Sequence, residues 1–170
     1  MKSLNIVCFG DSITKGFTQG GTVFHPYKNA LIFFLRKEFP VVNITADIEG
    51  LSGDWVASPP GGFLPRMDIL CKPLRQLLYN HSLPPLIPAD DESTIKYDWA
   101  IILGGTNDLA GGLDGEAIYS SLQKVWKYPL QNGAKVLALT VPECGNCAPQ
   151  LANRRDVLND LILEHQAENL

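Results

Sequence analysis

Leu4-Asn5-Ile6-Val7-Cys8-Phe9 runs directly into Gly10-Asp11-Ser12-Ile13-Thr14, and together they read as a core strand opening into a turn. A short apolar run closed by a glycine, too brief for a helix, is the pattern of a strand inside a sheet. The turn, Gly10 to Gly21, is rich in Gly, Thr and Ser. Beyond it, Tyr27, Ala30, Leu31, Phe34 and Leu35 recur at spacings of three and four, which predicts one face of a helix that Pro40 stops. A second strand is expected over Val41–Ile48, with its turn through Gly50, Ser52 and Gly53.

Pro65–Asn80 reads as helical in part, with Pro73 kinking or restarting it. His81–Ser93 reads as a surface loop, because it holds Pro84, Pro85, Pro88 and an acidic pair. Trp99–Leu103 is expected to be a third strand, buried on both faces. Asp114 is placed to cap a helix with the stripe Ile118, Leu122, Val125 and Trp126, which Gly133 ends. Val136–Thr140 makes a fourth strand. The last helix is drawn over Ala148–Glu168, with Leu151, Leu158, Leu161, Ile162 and His165 on one side.

Strand-like runs alternating with helical ones predict an α/β fold with a mostly parallel sheet. A doubly wound sheet normally follows such a helix with another strand. The expectation is therefore a single domain over 1–170 that is C-terminally incomplete, lacking a fifth strand. An open edge at the fourth strand, apolar from Val136 to Leu139, would invite self-association.

The chain has 170 residues, which suits one domain able to bury roughly 70% of its unfolded surface. A net charge of −4, with lysines and arginines scattered, argues against nucleic acid and against an anionic membrane surface. The longest apolar run, Ala30 to Leu35, is too short for a membrane span. The first strand begins within a few residues of Met1, leaving no room for a signal peptide, which predicts a cytoplasmic protein. Cys8, Cys71, Cys144 and Cys147 are not expected to form a secreted disulfide framework.

Ligands of open parallel sheets bind beyond the carboxyl ends of the strands. Three motifs fall there: Gly10-Asp11-Ser12-Ile13, Ser52-Gly53-Asp54 and Gly105-Thr106-Asn107-Asp108. Each alone is ordinary turn or cap chemistry. In this order and at matching strand ends they suggest acyl transfer. A serine exposed to an acyl carbon needs donors preorganised for the oxyanion that forms. The Ser12 and Gly53 backbone N–H groups and the Asn107 side-chain amide are donors of that kind.

Phe9-Gly10-Asp11-Ser12-Ile13-Thr14 resembles the first block of the SGNH (GDSL-type) hydrolases, whose serine is the nucleophile. Ser52-Gly53-Asp54 is similar to the second block, with its oxyanion glycine. Gly105-Thr106-Asn107-Asp108 is similar to the third, with its oxyanion asparagine, and the likeness in character runs from Asn5 to about Asn159. The resemblance implies a flavodoxin-like three-layer sandwich with a parallel sheet in the order 2-1-3-4-5, here 2-1-3-4. It implies a serine hydrolase of a small acyl or acetyl ester, with Ser12, Gly53 and Asn107 in the site and no cofactor or metal.

The family's last block, an Asp-x-x-His pair supplying the base and its orienter, occurs nowhere in these residues. His165 shares a stripe with Leu158 and Leu161 and reads as packing. His25 stands nearer the expected mouth and suits a pocket wall, and His81 suits solvent. Cys144-Gly145-Asn146-Cys147 lacks a second pair for zinc and follows the fourth strand, so it reads as a structural loop. A phosphate loop is excluded because Phe17, not Lys or Ser, follows Gly16. The remaining rivals are a binding domain that keeps an esterase pocket without its base, and a fragment of a longer hydrolase.

Overall fold

The computed structural model describes residues 2–57, 62–72, 96–145 and 147–165. The readings of Pro73–Asn80 and His81–Ser93 lie outside these residues. In chain order the elements are β1 (Lys2–Gly10), α1 (Ser12–Lys15), β2 (Phe17–Thr18), β3 (Val23–Phe24), α2 (Lys28–Glu38), β4 (Val42–Gly50), α3 (Phe63–Leu70), β5 (Trp99–Leu103), α4 (Thr106–Ala110), α5 (Gly115–Gln131), β6 (Lys135–Leu139) and α6 (Pro149–Leu163).

The main sheet is wholly parallel, in the order β4-β1-β5-β6, while β2 and β3 form a separate small antiparallel hairpin. With the hairpin set aside, this is the expected 2-1-3-4 order. The register matters for function. Gly10 pairs with Gly50 on one side and with Leu103 on the other, so the turns after β1, β4 and β5 leave the sheet at one level.

Successive strand residues face opposite sides, and β1 feeds two cores accordingly. Val7 and Phe9 join a large cluster with Phe63 and Met67 of α3, Ile118, Leu122 and Val125 of α5, and Leu158 of α6. Ile6 and Cys8 join a smaller one with Ile44, Ala46 and Ile101. Helices therefore cover both faces, giving three layers, but unequally. The helix α2 has no fully buried residue, and Phe33 and Phe34 are 65% and 63% exposed.

Several expectations need correction. Ala30 and Phe34 do not belong to the packed face of α2; Tyr27, Leu31, Ile32 and Leu35 do. Apolar residues are nearly continuous from Ala30 to Leu35, so spacing alone left the rotation of this helix open. Asp114 occupies the N-cap of α5 in an extended conformation, but its side chain makes no cap hydrogen bond. The buried stripe of α5 is the expected one, and Gly133 follows the helix with a φ of 81°. The last helix ends at Leu163, before His165, and Leu158 and Ile162 are its buried residues. Cys144 and Cys147 are joined as a disulfide, so their loop is cross-linked, while Cys8 and Cys71 are free.

Among the described residues β6 pairs with β5 alone, and its Leu137 is 46% exposed. No helix of the described residues is long and apolar enough to cross a membrane.

Candidate active site

Ser12 opens α1 immediately beyond β1, and its side chain is partly exposed. The wholly buried Asp11 is the N-cap: its carboxylate accepts the Ile13 amide at 2.9 Å, and its carbonyl accepts the Lys15 amide at 3.1 Å. N–H groups in a first helical turn have no acceptor within the helix. Asp11 takes that of Ile13. The helix is stopped after one turn by Gly16 in the left-handed region.

The second turn hangs from the first. Leu51 donates its amide to the Gly10 carbonyl at 3.1 Å, and Asp54 donates to the Leu51 carbonyl at 3.2 Å. Between them Gly53 has a φ of 78°, a backbone region that side-chain-bearing residues rarely adopt. The space a Cβ would occupy there is open, so conformation rather than crowding calls for glycine.

The third turn grips the second. Asn107, in the first turn of α4, donates its side-chain amide to the Asp54 carbonyl at 2.7 Å. An amide nitrogen carries two hydrogens, so one remains for another acceptor. Asp108, wholly buried, accepts the Val56 amide at 2.9 Å and the Ala57 amide at 2.7 Å. Ser12, Gly53 and Asn107 thus stand on three turns joined by hydrogen bonds at the carboxyl edge of the sheet.

Arg66 and the anchoring role of Asp108 did not emerge from the sequence. From α3, Arg66 forms an ion pair with Asp54 and donates to the Gly10 carbonyl at 3.3 Å and to the Glu49 carbonyl. A Cβ at position 62 would overlap the Asp54 carboxylate, so Gly62 makes room for that pair. One signal was present: Arg66 lies between Phe63 and Met67, the buried residues of α3, where a lone cation needs a partner.

Two histidines, His25 and His165, lie among the described residues. His25 is exposed, and its amide donates to the Gly16 carbonyl at 2.7 Å. His165 does not pack on α6 as its stripe suggested. It follows the helix, with Nδ1 2.7 Å from the Tyr119 hydroxyl and its ring centroid 5.0 Å from that of Trp126.

Burial pushes the Asp11 carboxyl above its ordinary pKa; the Ile13 amide pulls it down, and the Asp54 and Asp108 carboxylates push it further up. A carboxyl raised on folding holds its proton more tightly in the folded state. Its contribution to stability is therefore lost as pH rises from the ordinary value of 3.8 through the folded value. Asp11→Asn keeps a side-chain oxygen for the cap and sheds the charge. Its stability relative to wild type is expected to improve from pH 4 to pH 7 in urea melts. A difference that ignores pH would show that Asp11 is not strained by its ionisation.

A doubly wound parallel sheet with linked polar turns at its carboxyl edge is the architecture of the SGNH hydrolases. The sequence profile of the GDSL-like lipase/acylhydrolase family matches residues 8–170, and the chain belongs to that family of esterases and lipases. Solved structures agree on the fold. AlinE4, an SGNH-hydrolase family esterase, superposes with a TM-score of 0.62 at 23% identity, covering 96% of this chain and 72% of that one. TesA gives 0.60 at 19% identity, covering 93% and 72%. The psychrotrophic esterase EstA from Pseudoalteromonas sp., in a structure inhibited by monoethylphosphonate, gives 0.58 at 15% identity, covering 94% and 72%. No curated protein matches in sequence.

Proposed function

We propose that this chain hydrolyses a small acyl or acetyl ester, with Ser12 as nucleophile and the Ser12 N–H, Gly53 N–H and Asn107 amide as oxyanion donors. One observation carries the reading: the Asn107 amide closes on Asp54, the residue after Gly53, beside the strand end that presents Ser12. Ser12 Oγ attacks the acyl carbon, its proton passing to solvent water in place of a histidine base, and the carbonyl oxygen takes the negative charge against the three donors. Collapse expels the alcohol, and water then releases the acid from the acyl-serine.

No Asp-x-x-His pair stands among these residues, and the Nδ1 of His165 is engaged by Tyr119. The hydrolysis of p-nitrophenyl acetate by residues 1–170 is therefore expected to be feeble. Sites that lose a triad member still keep ~10³–10⁴-fold acceleration over water. EstA is inhibited by a phosphonate. An activated ethylphosphonate is accordingly expected to leave its adduct on the Ser12 peptide, and Ser12→Ala should remove the adduct and lower an already weak rate. An adduct elsewhere, or a rate untouched by Ser12→Ala, ends this reading. The engaged His165 also favours a second reading, a binding domain that keeps the pocket. It predicts no adduct, but displacement of a bound ester by its own product acid.

The half-exposed Leu137 on the outer strand supports self-association through that edge. Light scattering should report a mass above 18.7 kDa, and a strict monomer would refute it.

A further inference from the structure

We propose that Arg66 is a positioning residue that fixes the oxyanion loop against the nucleophile turn, a role that rests on the ester-hydrolase reading above. A guanidinium is a planar fork of five N–H donors, able to hold several acceptors in fixed directions. Arg66 spends that fork on three separate segments. One terminal nitrogen donates to the Gly10 carbonyl at 3.3 Å, two residues before Ser12, and also pairs with the Asp54 carboxylate, next to Gly53. The other donates to the Glu49 carbonyl, near the end of β4.

The surroundings keep the fork in place. The guanidinium lies 4.5 Å from the centroid of the Phe9 ring and 5.9 Å from that of Phe63. The Asp54 carboxylate also accepts the Trp55 amide at 3.0 Å. The pair is largely shielded, with the Asp54 side chain 7% and that of Arg66 21% exposed, so its attraction is only weakly screened by water. Leu51 shares the Gly10 carbonyl with Arg66, so one oxygen ties the start of the Gly53 turn and the cation to the nucleophile strand.

An ion pair that only fastened α3 to the sheet would need a single contact. Arg66 instead bridges the two segments whose separation sets how far the Gly53 N–H stands from the oxygen Ser12 attacks. Oxyanion donors act over a narrow range of distance, and a displacement of about 1 Å can cost ~10²-fold in rate. A lysine at this position would keep the pair with Asp54, but a single ammonium cannot direct donors to Gly10 and Glu49 together.

The test compares Arg66→Met and Arg66→Lys with wild type by two measurements. Hydrogen exchange over 51–57 is expected to speed up in Arg66→Met, with smaller changes in the sheet. For p-nitrophenyl acetate, kcat is expected to fall ~10–100-fold with KM within about threefold, Arg66→Lys recovering part of the loss. If Arg66→Met does not fold, Arg66→Lys gives the same comparison at smaller amplitude. Unchanged exchange over 51–57, or a lysine variant no better than methionine, overturns the proposal. A wild type with neither hydrolysis nor a Ser12 adduct, but with exchange still answering to Arg66, defeats the hydrolase reading and leaves the clamp standing. An active wild type whose exchange ignores Arg66 defeats the clamp alone.

Discussion

Asn107→Ala is expected to lower kcat for an activated ester by ~10²–10³, the range seen when one oxyanion donor is removed, with KM changed only a few-fold. The loss should be a large part of all the catalysis present. With no Asp-x-x-His pair among these residues, the proposed reading assigns the remaining acceleration to the oxyanion donors and to substrate placement. Asn107 also holds the Asp54 carbonyl, so its removal has a structural cost, one hydrogen bond worth about 0.5–1.5 kcal/mol. A ~10²–10³ loss of rate corresponds to about 2.7–4 kcal/mol, well beyond that cost. Kinetics and a urea melt on the same variant therefore separate the two roles. A variant that is less stable but equally fast would show that Asn107 only ties the turns together.

The sequence exposed those parts of the molecule that depend on local pattern. Leu4–Phe9 and Trp99–Leu103 are apolar runs bounded by turn residues, and both are central strands of the sheet. The three turns that carry Ser12, Gly53 and Asn107 could be placed at one edge because each follows a strand, and parallel strands bring their ends to one edge. What stayed hidden depends on partners distant in sequence. Nothing near Arg66 announces Asp54, Gly10 and Glu49, and nothing near Asp108 announces the amides of Val56 and Ala57. The rotation of α2 was lost because apolar residues surround that helix. His165 was misplaced because its stripe runs past the helix end, where Tyr119 and Trp126 take it instead. The spacing of Cys144 and Cys147 fitted several chemistries, and only their placement shows the disulfide.

Asp108→Ala is expected to destabilise the fold by about 2–5 kcal/mol, because it leaves two backbone donors without their carboxylate. Val56 is 4% exposed, and its amide lies 2.9 Å from one carboxylate oxygen, so water cannot readily replace that partner. The Ala57 amide, 2.7 Å from the other oxygen, belongs to a partly exposed residue, where water can recover some of the loss. Hydrogen bonds to an ionised acceptor are also about twice as strong as neutral ones. Asp108→Asn retains one acceptor oxygen but turns an NH₂ group toward the second donor, so about half the loss is expected. Against a typical domain stability of about 5–15 kcal/mol, the alanine variant should show a clearly lower urea midpoint with an unchanged slope. The same change releases residues 56–57 from α4, only three positions beyond Gly53, so residual esterase rate should fall along with stability. An alanine variant within about 0.5 kcal/mol of wild type would mean that the segment after Gly53 is held by other contacts, and that Asp108 does not anchor the site.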